Sequence, residues 1–409
     1  MKDTSSAPWP IKPLGDLCRI ELGSTPARKS AAMWDPDRTT ENVWLSIADL
    51  PQSLHAVATE SKEYVSDLAA KNMRLIPKGS LLVSFKLTLG RLAYAGRDLF
   101  SNEAIASLLD IDERQISKEF LYWALTAFDW HKAAEGDQKV KGKTLNKAKL
   151  KTIPIPLPPL EEQQRIVAVL DEAFEGLARA RAHAEANLQN ARDILESQLG
   201  SQFLVGSPDW VEKKMGDICG LITDGKHGDC ENEDGSGYYF LSAKDVKNGT
   251  LNYDGSRQIT FADFQETHRR TDLSAGDVLV TNAGTIGRTA IAQDDPRTER
   301  TTFQKSVAVL KPKREVIDSN FLELGLRANL VNLQKLSAGA AQKNLLLRDL
   351  RSFIVRMPER IEEQMRVADD FAKFQAKVEL LENKALGKLQ DLDDLCQSLL
   401  QKAFAGELT

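Results

Sequence analysis

The chain is poor in the groups that most enzymes use. Its four cysteines, Cys18, Cys219, Cys230 and Cys396, form no CxxC pair, which leaves neither a disulfide framework nor a thiolate zinc site. Its histidines, His55, His131, His183, His227 and His268, stand at no metal-ligand spacing, so no metal site is expected. There is no GxxxxGK[ST] phosphate loop and no GxGxxG opening a βαβ unit. The Asn/Asp-Pro-Pro-aromatic tetrapeptide of adenine methyltransferases is missing, as are HExxH and GxSxG. No catalytic residue is therefore expected. No run of about eighteen uncharged apolar residues occurs, which argues against a membrane-spanning helix. Residues 1–13 lack the apolar stretch of a secretion signal, so a reducing cytoplasm is the expected compartment. An excess of positive charge is missing too: the net charge is −5. That balance counts weakly against nucleic-acid binding, although a basic face can sit on an acidic whole.

What the chain does have is length and repetition. Its 409 residues suffice for two or three domains with cores of their own. Trp9 is followed by Leu14-Gly15-Asp16-Leu17-Cys18, and Trp210 by Met215-Gly216-Asp217-Ile218-Cys219. Leu45-Ser46-Ile47-Ala48-Asp49 answers to Leu241-Ser242-Ala243-Lys244-Asp245. Gly79-Ser80-Leu81-Leu82-Val83-Ser84 answers to Gly276-Asp277-Val278-Leu279-Val280-Thr281, and Thr88-Leu89-Gly90-Arg91 to Thr285-Ile286-Gly287-Arg288. Phe120-Leu121 answers to Phe321-Leu322, and Glu161 through Ile166 to Glu362 through Val367. Order and offset are kept over both halves, so one module is written twice. Between the matched islands the copies diverge, as in Pro26-Ala27-Arg28-Lys29 against Gly225-Lys226-His227-Gly228. A shared frame with different loops suggests two related sites for two different targets.

Each module has a β-rich first part. Residues 81–85 and 278–281 are short apolar runs after a glycine, the pattern of buried strands. Gly90 and Gly287 permit a tight turn into a further strand. Residues 120–125 and 321–326 read as helices packed on that sheet. The second part is a long helix. Pro158-Pro159 stops a strand-like segment, and Glu161 and Glu162 fall in a first turn, where the helix dipole favours negative charge. Val167, Phe174, Arg181, Leu188 and Leu195 recur every seven residues, with Leu170, Leu177, Ala184, Ala191 and Gln198 as a companion row. In the second module the rows are Phe371, Val378, Ala385, Leu392, Leu399 and Phe374, Leu381, Lys388, Leu395, Lys402. Such seams mark a coiled coil, and two in one chain most simply pair with each other. The breaks at Arg181, Gln198, Lys388 and Lys402 specify register or face a partner. At about 1.5 Å per residue, each helix spans on the order of 60 Å.

Three features invite chemistry. Gly225-Lys226-His227-Gly228-Asp229 suggests a metal or phosphate site, but the first module has no matching cluster; a loop that approaches a partner fits better. The pairs Glu161/Glu162 and Glu362/Glu363 are neighbours that do not share a helix face, so capping outweighs paired catalysis. Lys139, Lys141, Lys143, Lys147, Lys149 and Lys151 lie in one acid-free stretch, answered by Lys343, Arg348 and Arg351. This is either a solvated face or a set of phosphate contacts. Arg91 and Arg288 read guanine edges, hold phosphate or form a buried pair; the residues alone leave all three open.

The proline–glutamine approach to a long helix, at Ile155 through Ile166 and more weakly at Met357 through Val367, resembles the specificity subunits of type I restriction–modification systems. Gly23-Ser24-Thr25-Pro26 and Thr223 through Gly228 add to the resemblance, which covers nearly the whole chain. It implies a mixed α/β fold with two β-rich target recognition domains separated and followed by two long helices that form an antiparallel coiled coil. The expected domains are residues 1–155, a central helix at 156–205, residues 206–356, and a C-terminal helix at 357–409. Each recognition domain would read one half of a split double-stranded DNA site. The helices would set the gap and dock two methyltransferase subunits, which would bind S-adenosylmethionine and flip an adenine out of the duplex. Motor-nuclease subunits would join for restriction. The chain itself would be non-catalytic and bind no cofactor.

On this reading the expected DNA contacts in the first module are Thr25, Arg28, Lys29, Ser46, Lys86, Thr88, Arg91, Lys139, Lys141 and Lys143. In the second they are Lys226, His227, Ser242, Lys244, Asn282, Thr285, Arg288, Lys343, Asn344 and Arg348. Glu162, Gln163, Arg165, Glu363, Gln364 and Arg366 are the expected docking residues. The second approach, Arg356-Met357-Pro358-Glu359, lacks the double proline, which implies unequal docking faces. Two rival readings remain. A stand-alone restriction–methylation enzyme requires catalytic motifs that the chain lacks. A protein-binding coiled-coil adaptor leaves two divergent domains with basic loops unexplained.

Overall fold

The computed structural model describes residues 9–135, 138, 139, 142–247, 249–337 and 344–408. The chain folds as two compact units, residues 1–184 with 387–409, and residues 185–386. Each unit thus holds one β-rich domain and stretches of both long helices.

In the first unit five strands form a sheet in the order Arg19–Leu22, Ile105–Leu109, Leu81–Ser84, Leu92–Ala95, Val57–Ala58. All neighbours are antiparallel except the last pair. Leu81–Ser84 is buried along its whole length, as its apolar run requires at the centre of a sheet covered on both faces. Leu81, Val83 and Phe85 pack on the helix Lys118–Ala127 and, beyond it, on Ile166 and Leu170. Leu82, Ala93 and Ile105 point the other way, to Val43 and Leu45 of a small second sheet. That alternation follows from the two-residue period of a strand.

The second unit repeats the plan with four strands, in the order Cys219–Asp224, Val307–Pro312, Val278–Thr281, Thr289–Ile291. Val278 and Val280 pack with Phe321 and Leu322 of the helix Ser319–Ala328 and with Phe371. Burying one such phenylalanine stabilises by about 1.5–3 kcal/mol. In each unit the ends of the β-rich domain are joined. Ile11–Pro13 pairs antiparallel with Pro154–Pro156, and Val211–Lys214 with Ile354–Met357.

The long helices run Leu160–Gly200 and Ile361–Ala405. In the first unit Arg165 donates to the carbonyl of Leu408 and Arg181 pairs with Asp393, so the two helical stretches are antiparallel. In the second unit Arg192 meets Glu382 at 3.3 Å and the rings of Phe203 and Phe371 lie 5.9 Å apart, again antiparallel. Arg181, a break in the apolar row, is held by a cross-helix ion pair that fixes register. One expected row is corrected. Leu381 and Leu395 are 55% and 47% exposed, and Lys388 and Lys402 face solvent. Phe374 packs against the core as expected, but beyond it the inward companions are Glu382, Leu389, Cys396 and Ala403, one position further on. Among the described residues, no helix is long and apolar enough to cross a membrane.

Candidate nucleic-acid interface

The repeated islands form a common frame around the loops that differ. Gly23 N–H donates to Ile105 O at 3.2 Å and Ser24 N–H to Ser101 O at 2.8 Å. Gly225 and Lys226 make the same bonds to Val307 O and Phe303 O, at 3.2 and 2.8 Å. A Cβ at either glycine would sit inside the van der Waals radius of a carbonyl oxygen of a neighbouring strand, that of Ser101 or Phe303. Close backbone approach, not positive φ, demands glycine here.

The second shared turn follows the central strand. Ser84 Oγ donates to Thr88 O at 2.6 Å and accepts from Arg91 N–H at 2.9 Å. Thr281 Oγ1 donates to Thr285 O at 2.5 Å and accepts from Arg288 N–H at 2.9 Å. Gly90 and Gly287 sit at φ of 75° and 87°. The half-buried guanidinium of Arg91 donates to the carbonyl of Ile47 at 3.1 Å, a contact outside the three roles left open for it. Arg288 makes a longer bond to Ala243 O, at 3.5 Å, and is exposed. Ser46 and Ser242 close capping boxes with Asp49 and Asp245, so their side chains brace short turns.

Other expected residues are distributed as follows. Arg28 is exposed, stacked 4.3 Å over the Trp34 ring and paired with Glu63. Thr25 donates to Glu103. Lys29, Thr88, Lys244 and Thr285 are exposed. Lys86 lies 5.3 Å over the Phe85 ring and its backbone bridges to Thr144. Arg348 is exposed and 3.5 Å from Asp349. Lys139 and Lys143 fall in a two-strand hairpin, Gln138–Lys139 with Gly142–Lys143. Their side chains, and Lys141 and Lys343 entirely, lie outside the described residues.

Lys226 is tied down. Its ammonium donates to Asp263 at 2.7 Å and to Glu266 at 3.1 Å, both on the helix Phe261–Thr271, and these bonds raise its pKa. The pairing secures the loop and neutralises the cation. His227, by contrast, is exposed and meets Asp224 at 3.1 Å, while Arg270 also donates to Asp224. His227, Asn282 and Asn344 line one cleft of about 650 Å³. Asp224, Lys305 and Leu346 also line it, none of them among the expected contacts. Asp224 lies 58 residues before Asn282 and Lys305 lies 39 before Asn344, so no local signal marks them. In the first unit a cleft of about 530 Å³ gathers Lys71, Arg74 and Lys147 around Glu21. Lys71 and Arg74 belong to no charge run, so nothing in the local sequence marks them. No group of three metal-ligating side chains occurs among the described residues.

The docking expectation needs one correction. Gln163 and Gln364 are fully buried and bonded within the chain, so neither reaches a partner. Glu162 and Arg165 pair at 2.8 Å, and Glu363 and Arg366 at 3.7 Å, on accessible helix surface.

Residues 7–183 and 208–389 each match the type I restriction modification DNA specificity domain. The chain belongs to that family. It is similar to the EcoBI specificity subunit of Escherichia coli, with 25% identity over 327 residues, 74% of this chain and 68% of the relative. It is also similar to the MjaIX specificity subunit of Methanocaldococcus jannaschii, 28% identical over 51% of either chain. Its fold is that of the HsdS subunit from Thermoanaerobacter tengcongensis, at 20% identity, 99% coverage of both chains and a TM-score of 0.59. A chain of a type I R-M system solved for its complex assembly and conformational transition matches with a TM-score of 0.75, 18% identity and 98% coverage of both. Family membership makes this chain a non-catalytic DNA-recognition component of a restriction–modification system.

Proposed function

We propose that each module reads one half of a split double-stranded DNA site, and that the helices set the gap and dock two methyltransferase subunits. The observation that carries this reading is the pair Gly23 and Gly225: identical backbone bonds hold two loops of unrelated sequence at the same place in each module. A fixed mount with a variable tip is what two readers of different base sequences need. The exposed residues at 28, 29, 88, 227, 244, 285, 288 and 348, with the half-buried Thr25, Lys86 and Asn344, are the proposed contacts. In the second unit Leu380, Leu381 and Leu386 stand 55%, 55% and 48% exposed on the C-terminal helix; at about 100° per residue they are spread around it, and they offer a protein partner separate apolar contacts. S-adenosylmethionine and the flipped adenine belong to the methyltransferase subunits on this reading, motor-nuclease subunits join for restriction, and the complex works in the cytoplasm.

The test is exchange. Residues 1–155 are replaced by the corresponding segment of a relative, the hybrid is assembled with its methyltransferase partners, and methylated adenines are mapped. One half-site changes and the other stays. A change in both, or in neither, overturns the modular reading. Binding of the parent complex to its site also falls steeply with salt, because phosphate contacts release counterions.

A further inference from the structure

The cleft of the second unit contains an unusual asparagine. Asn282 is 6% exposed, yet its Oδ1 is covered and has no hydrogen-bond partner among the described residues. Its Nδ2 makes no hydrogen bond there either. Only the backbone of Asn282 is engaged, donating to Ser306 O at 3.0 Å and accepting from Leu345 N–H at 2.8 Å. A buried amide without partners is disfavoured, because it has given up water for nothing in return. The first module shows that the frame does not need it. Phe85 makes the same two backbone bonds, to Ala104 O and from Leu145 N–H, and its side chain is apolar and fully buried.

The surroundings are also particular to this module. Asp224 occupies the place that Leu22 holds in the first, just before the equivalent glycines Gly225 and Gly23. Its carboxylate is held by Arg270 and holds His227 at 3.1 Å, which fixes the imidazole at the rim. Lys305 supplies a positive charge, and Leu346, 42% exposed, an apolar wall.

An amide with both ends free matches one base edge in the major groove. Adenine offers a donor at N6 beside an acceptor at N7, so it satisfies Oδ1 and Nδ2 together. Guanine and thymine present a carbonyl where adenine has its amino group, and cytosine offers a donor only. The terminal torsion of asparagine is broad, so a modest rotation brings both groups to the cleft. We propose that this cleft receives the major-groove edge of one adenine in the half-site of the second module, with Asn282 as the specificity-determining residue. The inference rests on the reading of each module as a half-site reader.

The test uses the full chain assembled with its methyltransferase partners and duplexes carrying base analogues. Each adenine of the second half-site is replaced in turn by 2′-deoxynebularine, which lacks the amino group, and by 7-deaza-adenine, which lacks N7. At one position each analogue weakens binding by about ten- to a hundredfold. Asn282→Leu abolishes that sensitivity at that position and leaves the first half-site unchanged. Phe85 at the equivalent position shows that an apolar side chain suits the fold. If the variant nevertheless misfolds, the analogue series on the parent complex still decides. Indifference to both analogues throughout the second half-site overturns the proposal, as does unchanged sensitivity in Asn282→Leu. Equal binding of the parent to every duplex sinks the half-site reading itself, a distinct failure.

Discussion

Gln163 in the first module and Gln364 in the second make the same three hydrogen bonds. Each Oε1 accepts a backbone N–H at 2.9 Å, from Ser117 and from Asp318. Each Nε2 donates to two carbonyls, Gln115 and Pro158 at 2.8 and 2.9 Å, and Val316 and Pro358 at 3.1 and 2.8 Å. A single amide thus ties the start of each long helix to the cap of the shorter helix on the sheet. Gln163→Ala leaves several buried backbone groups unpaired. Urea unfolding should show a loss of about 2–4 kcal/mol, and Gln364→Ala a similar loss. Gln164→Ala, at an exposed neighbouring position, should stay within about 0.5 kcal/mol of the parent.

Gly225→Ala forces a Cβ against Phe303 O, so the backbone that carries His227 has to move. A destabilisation of about 1–3 kcal/mol is expected. Sequence preference in the second half-site should weaken while the first is retained. Retention of both, measured by competition between duplexes, would contradict the role given to this close approach.

The Lys226–Asp263 pair sets an acid sensitivity. The hydrogen bond from Lys226 holds the Asp263 carboxyl below its ordinary value of 3.8. A lowered folded pKa stabilises fully above the unfolded value and is lost as pH falls through the folded one. Melting temperature should therefore decline below about pH 4. Lys226→Met should destabilise by about 1–2 kcal/mol at neutral pH and remove this share of the decline.

Burial pushes the thiols of Cys18 and Cys219 up to about 12. Both should resist iodoacetamide at pH 8 in the folded protein and react on unfolding, because the thiolate is the nucleophile. Mass mapping after a short pulse checks this. Prompt labelling of either would show that its core opens readily.

Much of this architecture is legible from residue order because its causes are local. Apolar runs of four residues make the central strands, and prolines followed by glutamates start the helices. The companion row of the C-terminal helix is not. Leu381 and Leu395 look like seam residues, yet Glu382 and Cys396 take that place. From Phe371, a row three residues on and a row four residues on are both compatible with a helix, and only the partner decides. The cleft of the second unit is partly legible. His227, Asn282 and Asn344 converge, but burial of Asn282 depends on strands that close around it from elsewhere. Lys226 looks like a free cation because Asp263 and Glu266, its partners, lie some forty residues away.

The strand pairs Ile11–Pro13 with Pro154–Pro156, and Val211–Lys214 with Ile354–Met357, have a consequence for inheritance. Where the two ends of a segment lie side by side, whatever is threaded between them can be cut out and replaced without disturbing its flanks. Recombination within the duplicated stretches would then deliver an intact foreign cassette rather than a broken chimera. On the proposed reading of each module as a half-site reader, such a molecule would acquire a new target in one genetic event, while its partners would keep meeting an unaltered surface.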